Sequence, residues 1–168
     1  MGAGQATIRS YEPGDLGRLA TLNVVYHTTV WGFPGSLFEA KITAGMAAFL
    51  ETIEAPDNGW WSAEIDGDYI GGIAINGNDA KAAQLRWFIL DDKARGQGVG
   101  RQLLDTAMEH CRTRGFPLVF LSTFQGLDKA RALYERAGFR LVHEAEDATW
   151  ETPKIEQRFE WTPHDTAT

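Results

Sequence analysis

Three glycines spaced one residue apart, Gly96, Gly98 and Gly100, stand between an apolar strand-like run and the start of a helical pattern. The run is Leu85-Arg86-Trp87-Phe88-Ile89-Leu90. The helical pattern carries Val99, Leu103, Leu104, Ala107, Met108 and Cys111 on one face and closes at Gly115. Without Cβ atoms the glycines let the backbone turn tightly and approach a ligand. The amide N–H groups that open the helix then converge on an anion site, and Arg95 and Arg101 add positive charge there. Such a loop fits a diphosphate. Its spacing is neither the Gly-x-Gly-x-x-Gly of a dinucleotide fold nor the Gly-x-x-x-x-Gly-Lys-Ser/Thr of a P-loop. Taken alone, a glycine-rich turn leading into a helix accounts for it equally well.

A second segment adds to it. Leu127-Asp128-Lys129-Ala130-Arg131-Ala132-Leu133-Tyr134-Glu135-Arg136-Ala137-Gly138-Phe139 reads as a helix capped by Asp128. Ala130, Leu133, Tyr134 and Ala137 share one face, and Gly138 closes the end.

Arg-x-x-Gly-x-Gly from Arg95 to Gly100, followed one helix and one strand later by Ala-x-x-x-Tyr-x-x-x-Gly-Phe, resembles the GNAT superfamily of N-acetyltransferases. The resemblance runs from about Thr7 to Trp161. It implies an α+β fold, a mixed and mostly antiparallel sheet with splayed central parallel strands flanked by helices. It also implies acetyl-CoA as acyl donor, no metal, and direct attack by a primary amine in a ternary complex. Pantetheine would lie between Leu85–Leu90 and Leu118–Thr123, touching Phe88, Leu90 and Ala130. Gln97, Gly98, Val99, Gly100 and Arg101 would wrap the pyrophosphate, with Arg95 and Gly96 also among the cofactor-binding residues. The N–H near Leu90 would stabilise the tetrahedral oxyanion. Tyr134 would protonate the departing thiolate, since an ordinary phenol pKa of about 10 suits that task; the bland alternative is a core aromatic. Many members carry an asparagine seven residues before the tyrosine. Leu127 stands there, so that contact is either lost or supplied by Thr123 or Gln125, and it is not carried over. Phe38-Glu39-Ala40, Leu85–Phe88 and Glu156–Glu160 are similar to acetyltransferase domains found fused to MarR-type regulators, here free-standing.

Composition fits one domain over 1–168 with a core of about 6–162. Hydrophobic residues make up 43% and charged residues 23% of the 168. No apolar run nears the roughly 20 residues of a membrane span. The first five residues lack a basic region and an apolar region, so no secretory signal is expected, and the location expected is cytoplasmic. Cys111 is the single cysteine and lies on an apolar stripe, which suits a buried structural thiol. The net charge of −7 argues against nucleic-acid binding and would mildly attract cationic amines. The expected partners are a small amine or a peptide acceptor, with the chain a monomer or homodimer.

The remaining elements read as a strand at Ala6–Arg9 and a helix opened by Pro13 and Asp15. An aromatic loop follows at Val30–Gly35, then a helix whose Ser36 and Glu39 have capping-box spacing. Strands Trp60–Asp66 and Tyr69–Asn76 flank Asp66-Gly67-Asp68, a hairpin signal. Strands follow at Lys81–Leu90 and Pro117–Thr123, and Phe139–Ala145 pairs with Lys154–Trp161. Tyr26, Trp31, Phe33, Glu39 and Gln157 are candidates for the acceptor cleft, because long aromatic loops often carry binding. The general base stays open among Glu39, His27, Glu64, Glu144 and a water chain. A non-catalytic acyl-CoA-binding sensor is the alternative function.

Overall fold

The computed structural model describes residues 4–94, 96–148 and 153–164. In chain order these form β1 (Ala6–Ser10), α1 (Asp15–Trp31), α2 (Gly35–Leu50), β2 (Gly59–Ile65), β3 (Asp68–Asn76), β4 (Ala83–Leu90), α3 (Val99–Arg114), β5 (Val119–Phe124), α4 (Asp128–Arg136), β6 (Arg140–Asp147) and β7 (Lys154–Trp161). The strands make one sheet in the order β1-β2-β3-β4-β5-β7-β6. Only β4 and β5 pair in parallel; every other neighbour is antiparallel. The α+β architecture is the one expected from the sequence.

Period-two alternation sends neighbouring residues to opposite faces. Ile73 and Ile75 join Leu103, Leu104, Met108 and Tyr134 under α3 and α4. Ala74 joins Leu19, Met46, Phe49 and Trp60 under α1 and α2. The β2–β3 turn pairs Ile65 with Asp68. Its central residues, Asp66 and Gly67, have φ 52° and 83°, the pattern of a type I′ turn. Cys111 is fully buried in the larger core, and desolvation pushes its thiol up to about 12.

Three local expectations are corrected. The helix α1 runs through Val30 and Trp31, so only residues 32–34 link it to α2; Gly32, at φ 68°, ends it with its N–H bonded to the Thr28 carbonyl. The capping box does not form. Pro34 holds the cap position with extended backbone, and Ser36 is already inside the helix. Asp128 is likewise the first residue of α4 rather than its cap, which is Leu127, and there it meets the positive end of the helix dipole. Among the described residues no helix is long and apolar enough to cross a membrane.

Candidate functional site

Strands β4 and β5 pair only at Ala83↔Val119 and Gln84↔Phe120, and then part. A bulge in β4 accompanies the parting. Its register against β3 jumps from Gly72↔Ile89 to Ala74↔Arg86, and Trp87 takes φ 56°. A left-handed backbone costs a bulky residue about 1–3 kcal/mol, so the surroundings must hold it. Trp60 and Phe49 do so, each with its ring centroid 5.7 Å from that of Trp87. The bulge also breaks the alternation of faces. Arg86 and Trp87, consecutive in sequence, both reach α2 at Gly45, where a Cβ would sit 3.5 Å from a guanidinium nitrogen and 3.6 Å from the indole.

Past the bulge, the Asp91 N–H donates to the Ile70 carbonyl at 2.7 Å. Antiparallel alternation therefore turns the Leu90 N–H to the other edge, toward the gap left by β5.

That gap is the floor of a cleft of about 1230 Å³. Residues Gln84–Leu90 and Leu121–Phe124 form its two strand walls. One end is closed by Gly96, Gly98, Val99, Gly100 and Arg101 with Ala130, Leu133 and Tyr134, the other by Asn23, Tyr26, His27, Phe38, Lys41 and Ile42. Gly96 and Gly98 have φ 78° and 75°, which glycine adopts without strain. The Gly98 carbonyl accepts the first helical bond of α3, from Gln102. The N–H groups of Val99, Gly100 and Arg101 thus have no acceptor within the helix and form a cationic dipole end. Gly100 is needed for packing: a Cβ there would lie 3.0 Å from Leu90 and 3.2 Å from Leu133. The Val99 side chain is buried in the core, so it can offer a ligand only backbone. The Gln97 side chain is turned away and donates to the Lys93 carbonyl at 3.0 Å. Arg95 lies outside the described residues.

Tyr134 is 5% exposed, wedged among Phe88, Phe139 and Phe159 with ring centroids 6.0–6.2 Å away. Its hydroxyl has no hydrogen-bond partner among the described residues, and burial pushes the phenol well above its ordinary range. Thr123 and Leu127 line the cleft; Gln125 does not.

Of the acceptor candidates, Tyr26 lines the cleft; Trp31, Phe33, Glu39 and Gln157 do not. Each of these four has another place. Trp31 lies against Gly126, with the Lys154 ammonium 5.1 Å from its ring. Phe33 is buried between His27 and Phe124. Glu39 is exposed on α2. Gln157 is 2% exposed in β7, its amide donating to Glu144 at 2.7 Å. Among the base candidates, Glu64 is bound to Arg9 and only His27 reaches the cleft. Its Nδ1 is buried without a partner among the described residues, beside Tyr26, Phe33 and Phe38, and desolvation lowers its pKa to about 4.

The cleft contrasts in charge with the chain as a whole. Among the described residues its lining holds Lys41, Arg86, Arg101, Lys129 and Arg136 against one carboxylate, Asp128. Strand alternation from Leu85, which faces α3, puts Arg86 with its partner Ala74 on the face of α1 and α2; the bulge that follows turns Trp87 to that same face, where its ring lies beside the guanidinium. No glycine of β4 marks that bulge; the glycines beside it, Gly71 and Gly72, stand opposite on β3. Among the described residues no group of three or more His, Cys, Asp or Glu is placed to hold a metal ion.

Residues 23–139 match the family model described as Acetyltransferase (GNAT) family. An uncharacterized N-acetyltransferase of Escherichia coli K12, YjgM, is 32% identical over 90 residues, covering 52% of this chain and 54% of its own length, so the match spans about half of that relative. An uncharacterized N-acetyltransferase of Bacillus subtilis, YhfO, is 30% identical over 107 residues, covering 60% of this chain and 72% of its own. The solved structure of yncA, an acetyltransferase from Salmonella typhimurium with its cofactor acetyl-CoA, superposes with a TM-score of 0.73. It is 14% identical and covers 98% of this chain and 97% of its own, a likeness of fold.

Proposed function

The chain belongs to the GNAT acetyltransferase family, and from this premise we infer that it is an acetyl-CoA-dependent N-acetyltransferase acting on an amine bound in the same cleft. One observation carries the reading. The parting of β4 from β5 brings the free amides of α3, the Leu90 N–H and the unpartnered Tyr134 hydroxyl into one cavity. These residues fit the donor. The Val99–Arg101 amides offer three N–H donors to a pyrophosphate, and the gap between the strands offers an extended pantetheine a strand-like slot.

In the reaction the amine nitrogen attacks the thioester carbonyl and a C–N bond forms. The oxyanion is held by the Leu90 N–H, a contact type typically worth about 10²–10³ in kcat. Collapse breaks the C–S bond, and the thiolate leaves with the bonding pair. Tyr134 stands to donate a hydrogen bond to that sulfur. Its raised pKa keeps it protonated but makes it a weaker acid than an ordinary phenol. A thiol titrates near about 8.5, so full proton transfer from Tyr134 runs uphill and the hydroxyl acts chiefly by stabilising the departing charge. The proton lost by the acceptor nitrogen leaves through cleft water, with neutral His27 the one base candidate that lines the cleft. The free Tyr134 hydroxyl favours turnover over a sensor that only binds acyl-CoA, since a sensor has no leaving sulfur to stabilise.

The test is thiol release from acetyl-CoA against a panel of amines. Tyr134→Phe keeps the ring and its packing, so kcat should fall at least about tenfold with CoA affinity held. Full activity in this variant would remove Tyr134 from the chemistry. Absence of amine-dependent thiol release would favour the sensor.

A further inference from the structure

Arg86 is half-buried and has neither a hydrogen bond nor an ion pair among the described residues. The guanidinium lies over the face of Trp87, 4.4 Å from its carbon to the ring centroid. Leaving a guanidinium partly desolvated and unpaired is unfavourable, and proteins normally pair such a group. Here the unfavourable state is built in. The bulge holds Trp87 at a positive φ beside the guanidinium, and Gly45 faces both with no side chain, a Cβ there standing in ordinary contact at 3.5 Å.

The position of Arg86 narrows which anion it awaits. The α3 amides and the Tyr134 hydroxyl stand beside α4, on one face of the sheet. Arg86 lies against α2, on the other, together with Tyr26, His27 and Lys41. The donor's phosphates are therefore accounted for elsewhere. The one carboxylate of the lining, Asp128, begins α4 and belongs to the donor side.

We propose that the acceptor is an amine that also carries a carboxylate, which binds the Arg86 guanidinium stacked on Trp87 while the amine faces the thioester. This rests on the acetyltransferase reading given above. A planar fork matches a carboxylate through two parallel N–H···O bonds, and the indole holds the fork in plane. The acceptor is thus of the amino-acid class, and an uncharged or purely cationic amine leaves Arg86 unpaired.

Paired acceptors test this: phenylalanine against phenethylamine, and glycyl-phenylalanine against its C-terminal amide. The wild-type protein should favour the carboxylate partner of a pair at least about tenfold in kcat/KM. Arg86→Gln should raise KM for the carboxylate acceptor roughly ten- to a hundredfold with a smaller change in kcat, erasing the preference. Arg86→Lys should recover part of it, a charge without the fork. Equal or better use of the decarboxylated amines by the wild type overturns the proposal, as does an equal loss on both members of a pair in Arg86→Gln. A readout independent of turnover is the melting shift of the CoA-saturated protein with N-acetylphenylalanine against N-acetylphenylalaninamide. A larger shift with the carboxylate, lost in Arg86→Gln, supports the proposal, and equal shifts overturn it. A melting point that does not respond to CoA itself overturns the acetyltransferase reading along with it, whereas a CoA response without carboxylate preference overturns the proposal alone.

Discussion

Two partly buried arginines are treated in opposite ways. Arg9, on β1, reaches fully buried Asp15 with two bonds of 2.8 and 3.0 Å and Glu64 with a third of 3.0 Å. Asp15 also accepts from the Glu12 N–H, the Ser62 hydroxyl and Arg18. Its partners push the Arg9 pKa up, and the Arg9 contacts with the Glu12 and Ser62 bonds hold the Asp15 carboxyl below its usual range against the desolvation that opposes them. Arg86 has no such partners, and desolvation pulls its pKa down. The first cluster ties the start of α1 to β1 and β2 and is complete within the fold. The second is incomplete. A charge closed by its own chain stabilises structure, and a charge left open at a cleft is available to a ligand.

Breaking the closed cluster should have the largest effect. Asp15→Asn leaves Arg9 partly buried beside a neutral side chain, and removing one partner of a buried pair typically costs roughly 3–5 kcal/mol. Chemical denaturation should show it as a lowered midpoint with an unchanged m-value; a loss below about 1 kcal/mol would mean that the cluster is ornamental. The same carboxyl, depressed in the fold, contributes stability that is present above the unfolded pKa of about 3.8 and lost as pH falls below it.

His27 sharpens the contrast from the other side, as a buried base left uncharged. Its folded pKa of about 4 lies below the unfolded 6.5, so its contribution is complete above about pH 6.5 and is lost as pH falls toward 4. The span corresponds to a loss of up to roughly 3 kcal/mol. His27→Leu should flatten the stability profile between pH 6.5 and 4; an unchanged acid limb in that variant would place the titration elsewhere.

The smallest effect is expected at the open cluster. Without ligand, Arg86→Gln should alter stability by less than about 0.5 kcal/mol or increase it, because no pair is broken. A loss comparable to that of Asp15→Asn would show that Arg86 is a structural charge after all.

The donor side of the cleft is legible in the sequence because its chemistry is carried by backbone. Gly96, Gly98 and Gly100 announce a turn into a helix, and the periodicity of α4 places Tyr134 inward. The acceptor side is carried by side chains whose direction depends on register. Arg86 reads from sequence either as an outward surface charge or as a counter-charge for an acidic acceptor, and alternation alone does not choose between them. The bulge that turns Trp87 onto the same face sits at a tryptophan, a residue that gives no hint of positive φ. Val30-Trp31-Gly32-Phe33-Pro34 reads as a long loop because Gly32 and Pro34 interrupt it, yet the helix runs to Trp31 and uses Gly32 as its stop. Gln157 falls on the buried face of β7 through its pairing with Thr123 and Glu144. The net charge of −7 conceals a basic cleft, since composition averages over surfaces that geometry separates.

The most direct test of the account is the CoA-induced melting shift, measured for the wild type, Gly98→Ala and Gly98→Glu, each against its own ligand-free baseline. Gly98 has φ 75°, and a Cβ added there would meet nothing within 4 Å, so both substitutions strain the backbone but only glutamate adds bulk and negative charge at the α3 amides. CoA at about 100 times its dissociation constant should stabilise the wild type by roughly 2.7 kcal/mol. The account predicts that this shift persists in Gly98→Ala and vanishes in Gly98→Glu. A shift retained in full by Gly98→Glu would contradict it, because CoA would then be bound somewhere other than the cleft between β4 and β5.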